Sequence, residues 1–306
     1  MANLKNIRDR INSINNTQKI TRAMKMVAAA KVKKSENRVK AARPFSKELG
    51  NMLNKALSTF SEDIVAGDDK ESYLDNLPTL LEKREAKSVG LLVVTSNKGL
   101  AGAFNANVIR YTIKKIQQYN DEGVVCKLFV IGQKGLSALK HAPKGLDFEI
   151  VSSYTKVAQD PTSASATLIA EDLAKSFCEG QIDRIEIVTT RFKNMLSYSV
   201  ETWQLLPLAD QENDSESTGI DTEMVFEPDP SEVLLKIVPL YVANIIFQAL
   251  LESTASELAA RMTAMSAACN NAQEMIRILT IDYNKARQSA ITQEINEVVS
   301  GADSLK

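Results

Sequence analysis

The chain has 306 residues, 44% hydrophobic and 25% charged, with 37 basic against 38 acidic side chains, enough for one large domain or two modest ones. No apolar run approaches the about 20 residues that cross a membrane, and the opening Met1-Ala2-Asn3-Leu4-Lys5 has no apolar leader segment. Three scattered cysteines (Cys126, Cys178, Cys269) form no CxxC pair, which fits a reducing compartment and gives no zinc or redox motif.

The near-zero net charge hides a segregation. Residues 1–48 hold 13 Lys or Arg against Asp9, Glu36 and Glu48, a net of +10. Residues 209–232 hold nine acidic side chains and no basic one. Each block is either a solvated face or a docking surface for opposite charge.

The first segment reads as one helix with a heptad seam. Leu4, Ile7, Ile11, Ile14, Gln18, Thr21, Lys25, Ala28, Val32, Ser35, Val39 and Ala42 recur in steps of three and four. Asn3 is the predicted cap, and no proline or glycine intervenes before Pro44, which gives about 41 helical residues.

Between residues 88 and 206 the pattern changes. Strands are predicted at 88–95, 125–132, 148–155, 185–191 and 197–206. Helices are predicted at 102–119, 134–142 and 162–179. Continuous apolar runs such as Val89 to Val94, alternating with helices, indicate a βαβ domain with a mostly parallel sheet. Residues 61–87 and 209–230 are polar connections.

A second long helix follows from 231 to about 303. Its seam runs through Leu258, Met262, Met265, Cys269, Ala272, Ile276, Leu279, Tyr283, Ala286, Ala290, Gln293 and Glu297. So long a helix needs a partner, and the N-terminal one is the only match. The fold class is therefore α/β: a long antiparallel coiled coil with a small inserted α/β (Rossmann-like) domain. The predicted divisions are 1–60, 61–230 and 231–306.

The usual chemistry is missing. Ser96-Asn97-Lys98-Gly99-Leu100-Ala101-Gly102 sits where a phosphate loop would, but it matches neither the P-loop nor GxGxxG spacing, and reads as a tight turn. His141, the only histidine, ends a short helix and leaves no His-based metal or general-base scheme. No GxSxG is present, and Glu171-Asp172 lie on a helix surface. No catalytic residue, cofactor or metal is assigned. A nucleic-acid-binding basic coiled coil is the alternative, although Phe45 is the only aromatic in the first 48 residues for stacking.

Asn16-Thr17-Gln18-Lys19-Ile20-Thr21-Arg22-Ala23-Met24-Lys25-Met26-Val27 closely resembles the N-terminal helix of F-type ATP synthase gamma subunits. Tyr283-Asn284-Lys285-Ala286-Arg287-Gln288-Ser289-Ala290, continuing to Gly301, resembles that family's C-terminal signature. Leu205-Leu206-Pro207-Leu208, Phe226-Glu227-Pro228-Asp229-Pro230 and Ala260-Arg261-Met262 also match in order.

The resemblance implies a rotating shaft that couples c-ring rotation, driven by protons or sodium, to the catalytic beta subunits. Its implied partners are the alpha and beta subunits, epsilon and the membrane c-ring, with no nucleic acid. The implied location is peripheral, on the cytoplasmic face of a bacterial plasma membrane or an equivalent energy-coupling membrane. Arg22, Met24 and Lys25 resemble the part of the shaft facing beta's acidic lever loop, and Arg287 and Gln288 a pair engaging a beta catch loop. Leu206, Pro207 and Leu208 fall where the family's foot meets the c-ring and epsilon. Photosynthetic members carry an insertion after the LLPL segment; here 17 residues, 209–225, without cysteine, take its place. Thiol regulation is not expected.

Overall fold

A computed structural model describes residues 2–66, 79–81, 84–143, 145–158, 160–208 and 230–303. Two helices, α1 (Ala2–Ala66) and one from Pro230–Asp303, bracket a series of shorter elements. The chain divides into two compact units. One comprises Met1–Ala30 with Arg261–Lys306, the other Lys31–Ala260.

The second unit holds the sheet. In chain order come β1 (Ser88–Val94), α2 (Phe104–Asp121), β2 (Val125–Ile131), α3 (Gln133–Lys140), β3 (Phe148–Tyr154), α4 (Ser163–Cys178), β4 (Arg184–Phe192) and β5 (Tyr198–Leu206). The long C-terminal helix is α5. Strand order is β3-β2-β1-β4-β5; the first four run parallel, and β5 returns antiparallel through a hairpin. Central β1 is buried on both faces, as a run of Val and Leu requires, whereas edge strand β3 alternates.

Each face of the sheet has its own core. Val89, Leu91, Val93, Leu128 and Val130 pack under Val108 and Ile116 of α2 and Leu139 of α3. On the other face, Leu92, Phe129, Ile185 and Ile187 meet Ile169 and Leu173 of α4, Leu49 and Leu53 of α1, and Val238, Val242 and Ile246 of α5. Within this unit the two long helices run antiparallel: Ser46 accepts from Asn244 at 2.8 Å and Arg43 meets Glu252 at 3.1 Å.

Three expectations need correction. The first helix starts at Ala2, so Asn3 lies inside it rather than at its cap, and it continues through Pro44 to Ala66. A proline inside a helix costs about 3 kcal/mol. Burial of Leu49 and Leu53 beyond it contributes roughly 1.5–3 kcal/mol each, which offsets that cost. Pro44 itself is exposed, so the carbonyl it leaves unpaired, on exposed Lys40, has access to water. Finally, part of α5 is long and apolar enough by composition to cross a membrane, contrary to the reading of the apolar runs; half of that stretch is buried within the protein.

In the first unit every predicted seam position from Leu4 to Ala28 is buried or half-buried, as is every one from Met262 to Ala290. Gln18 donates to Gln273 across the pair. Gln293 and Glu297, the last two predicted seam positions, are exposed.

Candidate functional site

The first unit has a narrow seam of small and medium side chains, with Ala28, Met265 and Ala272 buried. Most residues off the seam are exposed. On α1 that outer face carries Lys19, Ile20, Arg22, Met24, Met26 and Val27, with Ile20 57% and Met26 61% exposed. Lys25 occupies a seam position and is half-buried. From Ala2 to Ala30 this helix bears six cations, Lys5, Arg8, Arg10, Lys19, Arg22 and Lys25, against Asp9 alone. The result is a mixed cationic and apolar surface.

On α5 the outer face carries Met275, Ile278, Ile281 and, beyond Ala290, Ile291, Ile295, Val298 and Val299. Gln288, Ile291, Ile295 and Val298 stand three, seven and ten residues apart from the first, on one helical stripe. A different stripe, Ser289, Thr292, Gln293, Asn296, Glu297 and Ser300, is polar and lines an open groove. Counted antiparallel from Gln18 and Gln273, Ala2, where α1 starts, lies level with Ser289. Past that level Gln293 and Glu297 are exposed, and among the described residues no helix packs on this amphipathic tip. The seam pattern alone hid these apolar residues; their three-and-four spacing beside the seam was the available signal.

The residues singled out from sequence fall into separate places. Arg22, Met24, Arg287 and Gln288 are exposed, and neither arginine forms an ion pair among the described residues. By the same register the α1 group and the Arg287 pair stand roughly 20 residues, or about 30 Å, apart along the helices. They stand at two separate levels, not in one site. Leu206, Pro207 and Leu208 are buried, Leu206 completely, and belong to the core of the second unit. In the chain by itself these three side chains pack between the sheet and α5.

The loop after β1 caps the start of the helix that follows β2. The first-turn amides of α3 are all taken: Gln133 donates to Asn97 Oδ1 at 2.9 Å, Lys134 to the Ser96 carbonyl at 3.0 Å and Gly135 to Thr95 Oγ1 at 3.0 Å. Asn105 Oδ1 accepts from the Ser96 amide at 3.0 Å. A side chain on Gly132 would lie 2.3 Å from the Thr95 carbonyl, and Gly132 has φ of +95°, so glycine is required there. Exposed His141 bonds back to the Ser137 carbonyl, and among the described residues no group of His, Cys, Asp and Glu gathers for a metal.

Comparison with known proteins bears on the whole chain. A family model described as ATP synthase matches residues 3–305. The ATP synthase gamma chain of a Cyanothece species is 41% identical over 332 aligned positions, covering all of both chains. That of Nostoc punctiforme is 41% identical over 329, again covering both completely. A chain in the central stalk and c-ring structure of the Tetrahymena thermophila mitochondrial ATP synthase is 29% identical, with a TM-score of 0.58. The match covers 81% of this chain and 99% of that one.

Proposed function

This chain belongs to the gamma-chain family of ATP synthases, and from that premise we propose how its two units do the family's work. Its function is that of the central-stalk rotor of an F-type enzyme, coupling rotation of the c-ring to the conformational cycle of the catalytic beta subunits. The complex is membrane-associated, and this chain is part of its F1 portion. The nucleic-acid reading of the basic helix is set aside, because both helices and the inserted domain fall within one family match.

The observation that carries the mechanism is the tip of α5, which outruns α1 and bears Ile291, Ile295 and Val298 on one stripe. A two-helix shaft ending in a single, one-sided helix presents different surfaces in different directions. Turned inside a ring of alternating alpha and beta subunits, it favours a different conformation in each beta subunit. Arg22, Met24 and Lys25 meet beta at one level and Arg287 and Gln288 at another. The inserted domain faces the c-ring and epsilon through surfaces other than the Leu206–Leu208 side chains. The chain does no nucleotide chemistry of its own, a reading supported by the occupied amides at α3. Its complex sits on the cytoplasmic face of a bacterial plasma membrane, or on the equivalent face of an organelle membrane.

Purification from mild-detergent membranes through a tag on this chain tests the assignment. Alpha, beta and epsilon subunits should come with it, and titration of the purified chain with MgATP should give no heat. Nuclease-resistant nucleic acid in the preparation, or turnover by the free chain, would overturn it.

A further inference from the structure

Glu252 is the one acid in an apolar stretch of α5, between Leu251 and Ser253, and its side chain is fully buried. A carboxylate taken so far from water persists only where its oxygens are satisfied. Here they are. Oε1 accepts from Arg43 Nε of α1 at 3.1 Å and from Gln248 at 3.4 Å, and Oε2 accepts from the Phe192 amide at 3.1 Å. Arg43 closes the ring by donating a second N–H to the Phe192 carbonyl at 2.9 Å. Phe192 is the last residue of β4, and its ring packs in a cluster with Val39, Leu251, Ala255 and Leu258. Both peptide groups and the side chain of one strand end are therefore gripped by both long helices.

We propose that Glu252 and Arg43 are positioning residues that key the inserted α/β domain to the helix pair, so that the two turn together under load. Apolar contact between packed elements is non-directional and tolerates small sliding. Charge-assisted hydrogen bonds with fixed geometry do not, and this ring is the place where such bonds join β4 to α1 and α5 together. Arg38 ties α1 to Asp160 and the Pro161 carbonyl as well, but Asp160 is exposed, and that tie is screened by water. The proposal rests on the rotor function stated above.

The test uses the assembled complex in membranes, comparing ion pumping with ATP hydrolysis, each normalised to assembled beta subunit. Wild type must pump; if it does not, the rotor reading itself fails, separately from this one. Glu252→Gln and Arg43→Lys should each lower the ratio of pumping to hydrolysis by about twofold or more, while Arg38→Ala leaves it near wild type. The double change Arg43→Met with Glu252→Leu replaces the ring by apolar contact and should assemble near wild type but leave the ratio low. If Glu252→Gln does not assemble, Arg43→Lys, which keeps the charge and loses the two-sided reach, decides. A normal ratio in Arg43→Lys, or a ratio restored together with assembly in the double variant, overturns the proposal.

Discussion

Gln18 of α1 donates its side-chain amide to Gln273 of α5, joining residues 255 positions apart at the edge of the seam. Gln18 is half-buried at a seam position and Gln273 is exposed beside it, so the pair contributes little to burial, yet its directional hydrogen bond is made in one register only. Register is what a shaft needs, since a shift of one turn would move every outward residue relative to its partners.

The first prediction follows from that pair. With Gln18→Cys and Gln273→Cys together, mild oxidation should give a crosslink within one chain, read as a faster-migrating monomer on a non-reducing gel. Crosslinking only between chains would mean that the two ends do not pair with each other.

Arg22 and Arg287 are both exposed, but the proposed surroundings differ in the assembled enzyme. Contact of Arg22 with an acidic loop is partly solvated, so Arg22→Ala should cost about 1 kcal/mol or less. On the proposed reading Arg287, near the tip, is surrounded by partners, and stranding a buried counter-charge there would cost roughly 3–5 kcal/mol. Ion-driven ATP synthesis per assembled beta subunit should fall far more in Arg287→Ala than in Arg22→Ala. Equal, near-normal rates would displace the contact from Arg287.

Much of this molecule was legible because its signals are periodic. The heptad seam marked the inward face of both helices, and the apolar runs marked β1, β2 and β4 to within a residue or so. What escaped depends on partners distant in sequence. The helix survives Pro44 only because Leu49 and Leu53 find the sheet and α5. Leu206 and Leu208 look like a surface motif until the returning α5 covers them. The Arg43–Glu252 pair spans 209 residues and has no local signature beyond an acid in an apolar run. The predicted divisions between domains fell at changes of composition, whereas the compact units divide both long helices part-way along.

Burial separates two of the thiols, Cys126 and Cys178, and adds a pH dependence. Cys126 is buried, and desolvation, with the charges of Asp147 and Glu186 adding to it, pushes its thiol from 9.0 up to about 11; Cys178 is exposed. Burial also raises Tyr119, beside Glu186, and Tyr154, beside Asp172. All three are neutral in the folded protein and ionise more readily when unfolded. Their contribution is thus complete below about pH 9 and is lost as pH rises through the folded values. Thiol labelling at neutral pH should modify Cys178 first and Cys126 only on unfolding. Melting temperature should fall above pH 9, less steeply in Cys126→Ser. Rapid labelling of Cys126 in the folded chain would contradict its placement in the core.

The last prediction separates a core role from a contact role at the LLPL segment. Leu206 and Leu208 pack with Leu205, Val238 and Val242, and no substantial part of either side chain reaches the surface. Truncating a fully buried leucine removes transfer energy and leaves a cavity, together about 2–5 kcal/mol. Leu206→Ala should therefore lower the melting temperature of the purified chain and the amount of complex in membranes by related amounts. The complexes that do form should pump ions per ATP hydrolysed as wild type does, because no partner loses a contact. Isoleucine or methionine at 206, closer in volume, should recover most of the loss. A residue whose work is to touch the c-ring or epsilon would behave oppositely: normal stability of the free chain, with coupling lost in the assembled enzyme. That second pattern would return Leu206 to the foot and require the segment to turn outward on assembly.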